Sequence, residues 1–160
     1  MSEILVSCYS STDHAQDAVA ALRDHGVDPD RIGILLADSG DARDLLEGGP
    51  ASPREGAAVG SVTGATLFGL AAVALATGPV GVLAVGPLAA LVGGGVAGAT
   101  TGGLLGALVG LGIPENEAAL RVEEIHKGGV LVTVHTRDET ERRKLEELLS
   151  TGSARHVFAI

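Results

Sequence analysis

One cysteine, five histidines and 20 acidic residues are the groups through which this chain could attack a carbonyl, hold a metal or move a proton. Cys8 lies inside the apolar run Ile4-Leu5-Val6-Ser7-Cys8-Tyr9, where a thiol is a small buried hydrophobe rather than a nucleophile. A single cysteine permits neither an intramolecular disulfide nor a thiolate cage, which fits a reducing cytoplasm. His14, His25, His126, His135 and His156 contain no pair at the spacing of a zinc site, so solvated or capping roles are expected for them. Gly93-Gly94-Gly95-Val96-Ala97-Gly98 matches G-x-G-x-x-G, but it sits within an apolar helical run instead of joining a strand to a helix. No G-K-[ST] follows any glycine-rich stretch, which excludes a P-loop. The carboxylates of the last helix pair with neighbours such as Arg143 and Lys144, as on a solvated face. The expectation is a chain with no catalytic residues, no cofactor and no metal.

The elements that would position these groups are divided by charge. From Gly56 to Pro114 no residue carries a charge, and every Asp, Glu, Lys and Arg lies on one side or the other. Residues 1–55, 56–113 and 114–160 therefore form three segments. The formal charge of −9 and the lack of a basic cluster disfavour nucleic acid, whose phosphates require cationic contacts. They also disfavour attachment to anionic lipid by charge alone. With 24 glycines and only 2% aromatics beside 46% hydrophobic residues, much of the apolar content must pack by close backbone approach.

The outer segments each read as strand–helix–strand. In the first, Ile4–Tyr9 is a strand, and Asp13 with Gln16 marks a helix start. Ala15, Ala18, Val19 and Leu22 face inward, Gly26 stops the helix, and Arg31 to Ala37 is a second strand. A short helical piece is expected at Asp41 to Glu47, within a linker. The third segment has a helix over Glu115 to Lys127 with Ala118, Val122 and Ile125 inward. A strand at Val130–Val134 follows, then a helix opened by Thr136 and Glu139 with Leu145, Leu148 and Leu149 inward, and an edge strand over Arg155 to Ile160. Together these predict an α+β fold: a ferredoxin-like split βαβ sandwich with helices on one face, interrupted between its second and third strands.

The interruption reads as a glycine-zipper α-helical hairpin. Gly56, Gly60 and Gly64 fall four apart, and Gly94, Gly98, Gly102, Gly106 and Gly110 continue the same period. Such a row forms a smooth groove along a helix, with Val92, Val96, Thr100, Leu104 and Leu108 as bulk on the opposite side. Helices near 56–77 and 88–112 are predicted, with Gly78-Pro79 and Gly86-Pro87 at the turn. Each glycine costs about 1 kcal/mol relative to alanine in a helix interior, a cost offset only where another backbone fills the groove. Two contexts supply one: a lipid bilayer, with the α/β domain on the cytoplasmic side, or a cytoplasmic homo-oligomer. Met1-Ser2-Glu3-Ile4 has no basic region followed by an apolar stretch, so no signal peptide is expected.

Gly112-Ile113-Pro114-Glu115-Asn116-Glu117-Ala118, followed by Gly128-Gly129-Val130-Leu131-Val132-Thr133-Val134, resembles the bacterial general-stress or low-temperature-induced glycine-zipper proteins. The resemblance covers nearly the whole chain and implies a stress context without a reaction or catalytic residues. Where such proteins often carry aromatics after the I-P-E join, this chain has Leu120 and Val122. The expected function is a non-enzymatic, stress-associated protein that self-assembles or anchors in a membrane through its zipper. A small-ligand sensor with a helical transmitter, and a redox subunit using Cys8 and a histidine, are the rival readings.

Overall fold

Local chemistry decides where each element starts and stops. The computed structural model describes residues 3–37, 65–67, 70–75, 82–88 and 103–160. Strand β1 (Ile4–Tyr9) leads to helix α1 (Thr12–Asp24). Ser11, not Asp13, caps that helix: its hydroxyl accepts the His14 amide at 3.5 Å. Asp13 falls inside the first turn, where its charge meets the positive end of the helix. Ala15, Ala18, Val19 and Leu22 are buried, as their spacing predicts. Gly26, at φ +80°, turns the chain away, and a 3-10 turn at Pro29–Arg31 leads into β2 (Ile32–Ala37).

The middle of the chain departs from the expected helical hairpin. Strands β3 (Ala65–Leu67) and β4 (Leu70–Leu75) lie where a helix over 56–77 is predicted, and β5 (Val82–Val85) occupies the expected turn. Two physical terms favour strands. Glycine weakens helix and so removes its advantage. Strand β2 is buried along its full length, so its outer edge needs a partner for its amides and carbonyls. β5 supplies it, with Ile34 opposite Val85 through Ala37 opposite Val82. The expected short helix at 41–47, Gly78-Pro79 and residues 89–102 lie outside the described residues.

Helix α2 (Gly103–Gly110) is the described part of the predicted 88–112 helix. It ends as Gly112, at φ +96°, donates its amide to the Val109 carbonyl while Ile113 donates to that of Leu108. Helix α3 (Glu115–His126) follows Pro114, and Gly128 at φ +93° closes it before β6 (Val130–His135). Helix α4 (Glu139–Thr151) is capped by Asp138, whose carboxylate accepts the Glu141 amide at 2.8 Å. Thr136, the expected cap, instead donates its hydroxyl to the Glu3 carbonyl at 2.8 Å and ties β6 to the start of β1. Strand β7 (His156–Ala159) ends the set.

The seven described strands form one sheet in the order β3-β4-β5-β2-β6-β1-β7, and every pairing among them is antiparallel. β6 lies between β1 and β2, and β1 lies between β6 and β7, so each strand–helix–strand unit is split by a strand of the other. β7 is at an edge, as expected. The helices, however, cover both faces rather than one. Leu5, Tyr9, Ile34, Leu36, Val130, Val132 and Val134 pack against Ala15, Val19 and Leu22 of α1 and Leu145 and Leu149 of α4. Val6, Cys8, Leu35 and Leu131 point the other way, onto Leu104 and Leu108 of α2 and Ala118 and Ile125 of α3. The reason is in the strands: apolar residues at both odd and even positions give two water-averse faces, and each needs its own cover.

Arg31 locks the two halves together. Its guanidinium meets the Glu141 carboxylate at 3.1 and 2.5 Å, and its Nε donates to the His135 carbonyl at 2.8 Å. Glu141 was expected to pair with Lys144 on the helix surface; Arg31 reaches it instead and holds its carboxyl below the ordinary value of 4.5. A carboxylate depressed in the folded state adds stability above its unfolded pKa and loses it on acidification. Glu141→Gln is therefore expected to lower unfolding free energy by about 1–2 kcal/mol in urea at pH 7. The deficit should shrink as the pH falls below 4.5. A second outcome separates two kinds of glycine. At Gly86, φ is +64° and a Cβ would collide with the Ile32 carbonyl oxygen, whereas at Gly128 the φ of +93° is strained but the space is open. Gly86→Ala should cost about 3 kcal/mol or more, and Gly128→Ala only about 1, in matched denaturant titrations.

Candidate functional site

Among the described residues the groups able to do chemistry are dispersed through this frame, with one exception. Beneath α3, Cys8 from β1 meets Arg121 and Glu124 from the helix and Leu131 from β6 around a cavity of about 10 Å³, room for no more than one water. Arg121 reaches this place because it stands three residues after Ala118 and four before Ile125, on the inward stripe of α3. It is 8% exposed, and its Nη1 bonds the Glu124 carboxylate at 2.9 Å. The ion pair neutralises the cation that would otherwise stabilise a thiolate.

Electrostatics then decide the state of Cys8. Burial pushes its thiol from 9.0 up to about 12; the Arg121 charge pulls the other way, and Glu124 reinforces burial. The thiol is neutral across the physiological range and shielded from water at 5% exposure, the state of a packing residue rather than a nucleophile. Ligand pockets generally run to about 300–1,000 Å³; this one is smaller.

The histidines do not converge. His14 bonds its own cap, with Nδ1 3.1 Å from the Ser11 hydroxyl, and Nδ1 of His25 meets the Ala21 carbonyl at 2.8 Å at the end of α1. His126 and His156 are exposed, and His135 lies at the end of β6. Among the described residues no group of three or more His, Cys, Asp or Glu could hold a metal ion. The hydroxyls of Tyr9 and Thr133 are buried without a hydrogen-bond partner among the described residues. Thr133 is wedged against Gly33, beside Leu88, and leaves no room there for a guest.

Of the eight zipper glycines, Gly106 and Gly110 are described, both on α2; Gly56, Gly60, Gly64, Gly94, Gly98 and Gly102 lie outside the described residues. Leu104 and Leu108, the expected counter-face, are 5% and 0% exposed and fill the core between α2, α3 and the sheet. Residues two further on are rotated by about 200° on a helix, so Gly106 and Gly110 fall away from that packed side. Gly110 is exposed, a Cβ there would meet nothing within 4 Å, and neighbouring Val109 is 42% exposed. Leu120 on α3, at 58%, is the other large apolar residue exposed among the described residues. No described helix is long and apolar enough to cross a membrane.

Comparisons with protein-family models, with characterised proteins and with solved structures found no match to this chain. Sequence reasoning missed the Cys8–Arg121–Glu124 cluster because Arg121 reads as a surface charge. The signal was its place on the stripe shared by Ala118, Val122 and Ile125. A thiol whose pKa rises on folding favours the native state below 9.0 and surrenders that preference as the pH climbs towards about 12. Stability should accordingly decline over that window, and Cys8→Ala should flatten the decline. At pH 8 a water-soluble thiol reagent should label native protein at least about 100-fold more slowly than urea-unfolded chain.

Proposed function

We propose that this chain is a non-enzymatic, self-associating protein, with a ferredoxin-like split βαβ core as its frame and its uncharged glycine-rich segment as the contact. The observation that carries the reading is the orientation of α2: Leu104 and Leu108 face the core, so Gly110 and Val109 are left in the open. A helix with no charged residue, spelled Gly-Leu-Leu-Gly-Ala-Leu-Val-Gly, gains nothing from water on such a face. A second backbone laid in the groove would recover dispersion contacts that the missing side chains make possible. The resemblance to stress-induced glycine-zipper proteins agrees with the corner residues: Gly112 and Gly128, both within the motifs that carry it, stand at positive φ where glycine is favoured.

Anchoring on a bilayer is the second reading, favoured by the same absence of charge from Gly56 to Pro114. In that case the contact of the glycine row is lipid-embedded, and the charged α/β domain stays on the cytoplasmic side.

Gly110→Leu separates association from folding. The monomer has space for the side chain, and leucine favours helix by up to about 1 kcal/mol over glycine, so the melting temperature should hold or rise. Filling the groove should nevertheless weaken self-association by about tenfold or more in sedimentation velocity, equivalent to about 1.4 kcal/mol. Flotation with neutral phosphatidylcholine vesicles tests the bilayer reading. Full-length protein that sediments as a monomer at all concentrations and does not float would overturn both; undiminished assembly of Gly110→Leu would overturn the groove.

A further inference from the structure

The β7 edge carries a second contact, independent of the glycine row. Ile4 and Ile160 exchange both backbone bonds, each at 2.9 Å, and form a closely bonded antiparallel pair. Because such pairs alternate along the ladder, Val6 and Phe158 form the next one, while Leu5–Ala159 and Ser7–Val157 are non-bonded pairs. The other side of β1 agrees: its odd residues are bonded to β6, starting from Thr136 N–H to the Glu3 carbonyl at 2.9 Å. The amides and carbonyls of Val157 and Ala159 therefore point away from β1, to the side of β7 on which no described strand pairs.

That edge lacks the usual guards. Residues 157–160 include no proline and no charged side chain to turn away another strand. Just before the strand, the Arg155 amide donates to the Cys8 carbonyl at 2.8 Å. Apolar side chains beside the edge are half-covered on both faces: Val157, Ala154 and Leu148 on the α1–α4 side, Ile4 and Ile160 on the α2–α3 side. In a chain of formal charge −9, residues 148–160 contain no carboxylate side chain, so this border adds little to the repulsion between two copies.

We infer that β7 pairs antiparallel with β7 of a second copy about a two-fold axis beside residue 158, joining two sheets into one. The occupant is a second copy because the edge is complementary to itself. With residue 158 opposite its own equivalent, Val157 stands opposite Ala159 of the second copy and each pair exchanges two backbone bonds. Both outward positions on each strand are used, with no register gap. The two-fold closes the contact, and the half-covered side chains on both faces gain a neighbour.

Amide-resolved hydrogen exchange on the full chain reads the contact directly. Among the described residues of one copy no acceptor is recorded for the Val157 or Ala159 amide, so protection of these two amides that depends on protein concentration reports the second strand. In concentrated protein both should exchange at least about 100-fold more slowly than in an unstructured chain, and dilution should abolish the protection. Ala159→Pro deletes an outward amide and spares the bonds to β1. It should weaken dimerisation by about tenfold or more with the melting temperature retained. Performing the exchange in the Gly110→Leu background separates the two contacts, since β7 protection should persist there. Unprotected exchange of Val157 and Ala159 in concentrated protein overturns the inference, whether or not the proline variant folds; so does a folded Ala159→Pro that dimerises like the parent.

Discussion

A sheet that shuns water on both faces is the constraint on which the rest of this molecule depends. β2 is buried at every position, and β6 at all but its last. Isolated strands of that composition would aggregate; in the fold they need a layer above, a layer below and a strand on each side. α1 and α4 provide one layer and α2 and α3 the other. β5 closes the outer side of β2, and β1 separates β6 from the border strand. Arg31 fits the same logic: a partly buried cation at the start of β2 is tolerable because Glu141 and the His135 carbonyl surround it.

The outer segments were legible because their periodicities were unopposed. Ala15, Ala18, Val19 and Leu22 repeat at helical spacing between a serine cap and Gly26, and all four are buried. The four outer strands were found within a residue or so. The N-caps of α1 and α4 each stand two residues from the expected ones, Ser11 in place of Asp13 and Asp138 in place of Thr136, since serine, threonine and aspartate compete for the role and geometry alone selects among them. The helix expected over 56–77 gives way to strands β3 and β4 for a different reason. A glycine every fourth residue specifies a groove only if the segment is already helical, and Ala65–Leu75 has no signal that decides between helix and strand. That choice was made at a distance by the open edge of β2, a demand invisible to any local window.

The candidate site repeats the lesson in chemical terms. Cys8 read correctly as a packing residue because its neighbours in sequence are apolar and its burial follows from them. Arg121 was not legible, since a charge on a helix is ordinarily solvated; only the coincidence of its stripe with Ala118 and Ile125 places it inside. Of the glycine row only Gly106 and Gly110 are described, and their orientation was not legible. Which way Gly110 faces depends on Leu104 and Leu108 finding the core, and that follows from the presence of a second apolar sheet face.

The interleaving of the two halves has a consequence for how the chain acquires its structure. The Ser7 hydroxyl donates to the Val132 carbonyl, a partner 125 residues away in sequence. During synthesis, β1 and α1 leave the ribosome without the strand that must lie between β1 and β2, and the long uncharged stretch emerges while they wait. Such remote pairing makes acquisition of the native state slow, and it leaves sticky strands in the open for the whole of that interval. Until the carboxy-terminal third arrives, the apolar strands of the nascent chain have neither their central neighbour nor their full cover.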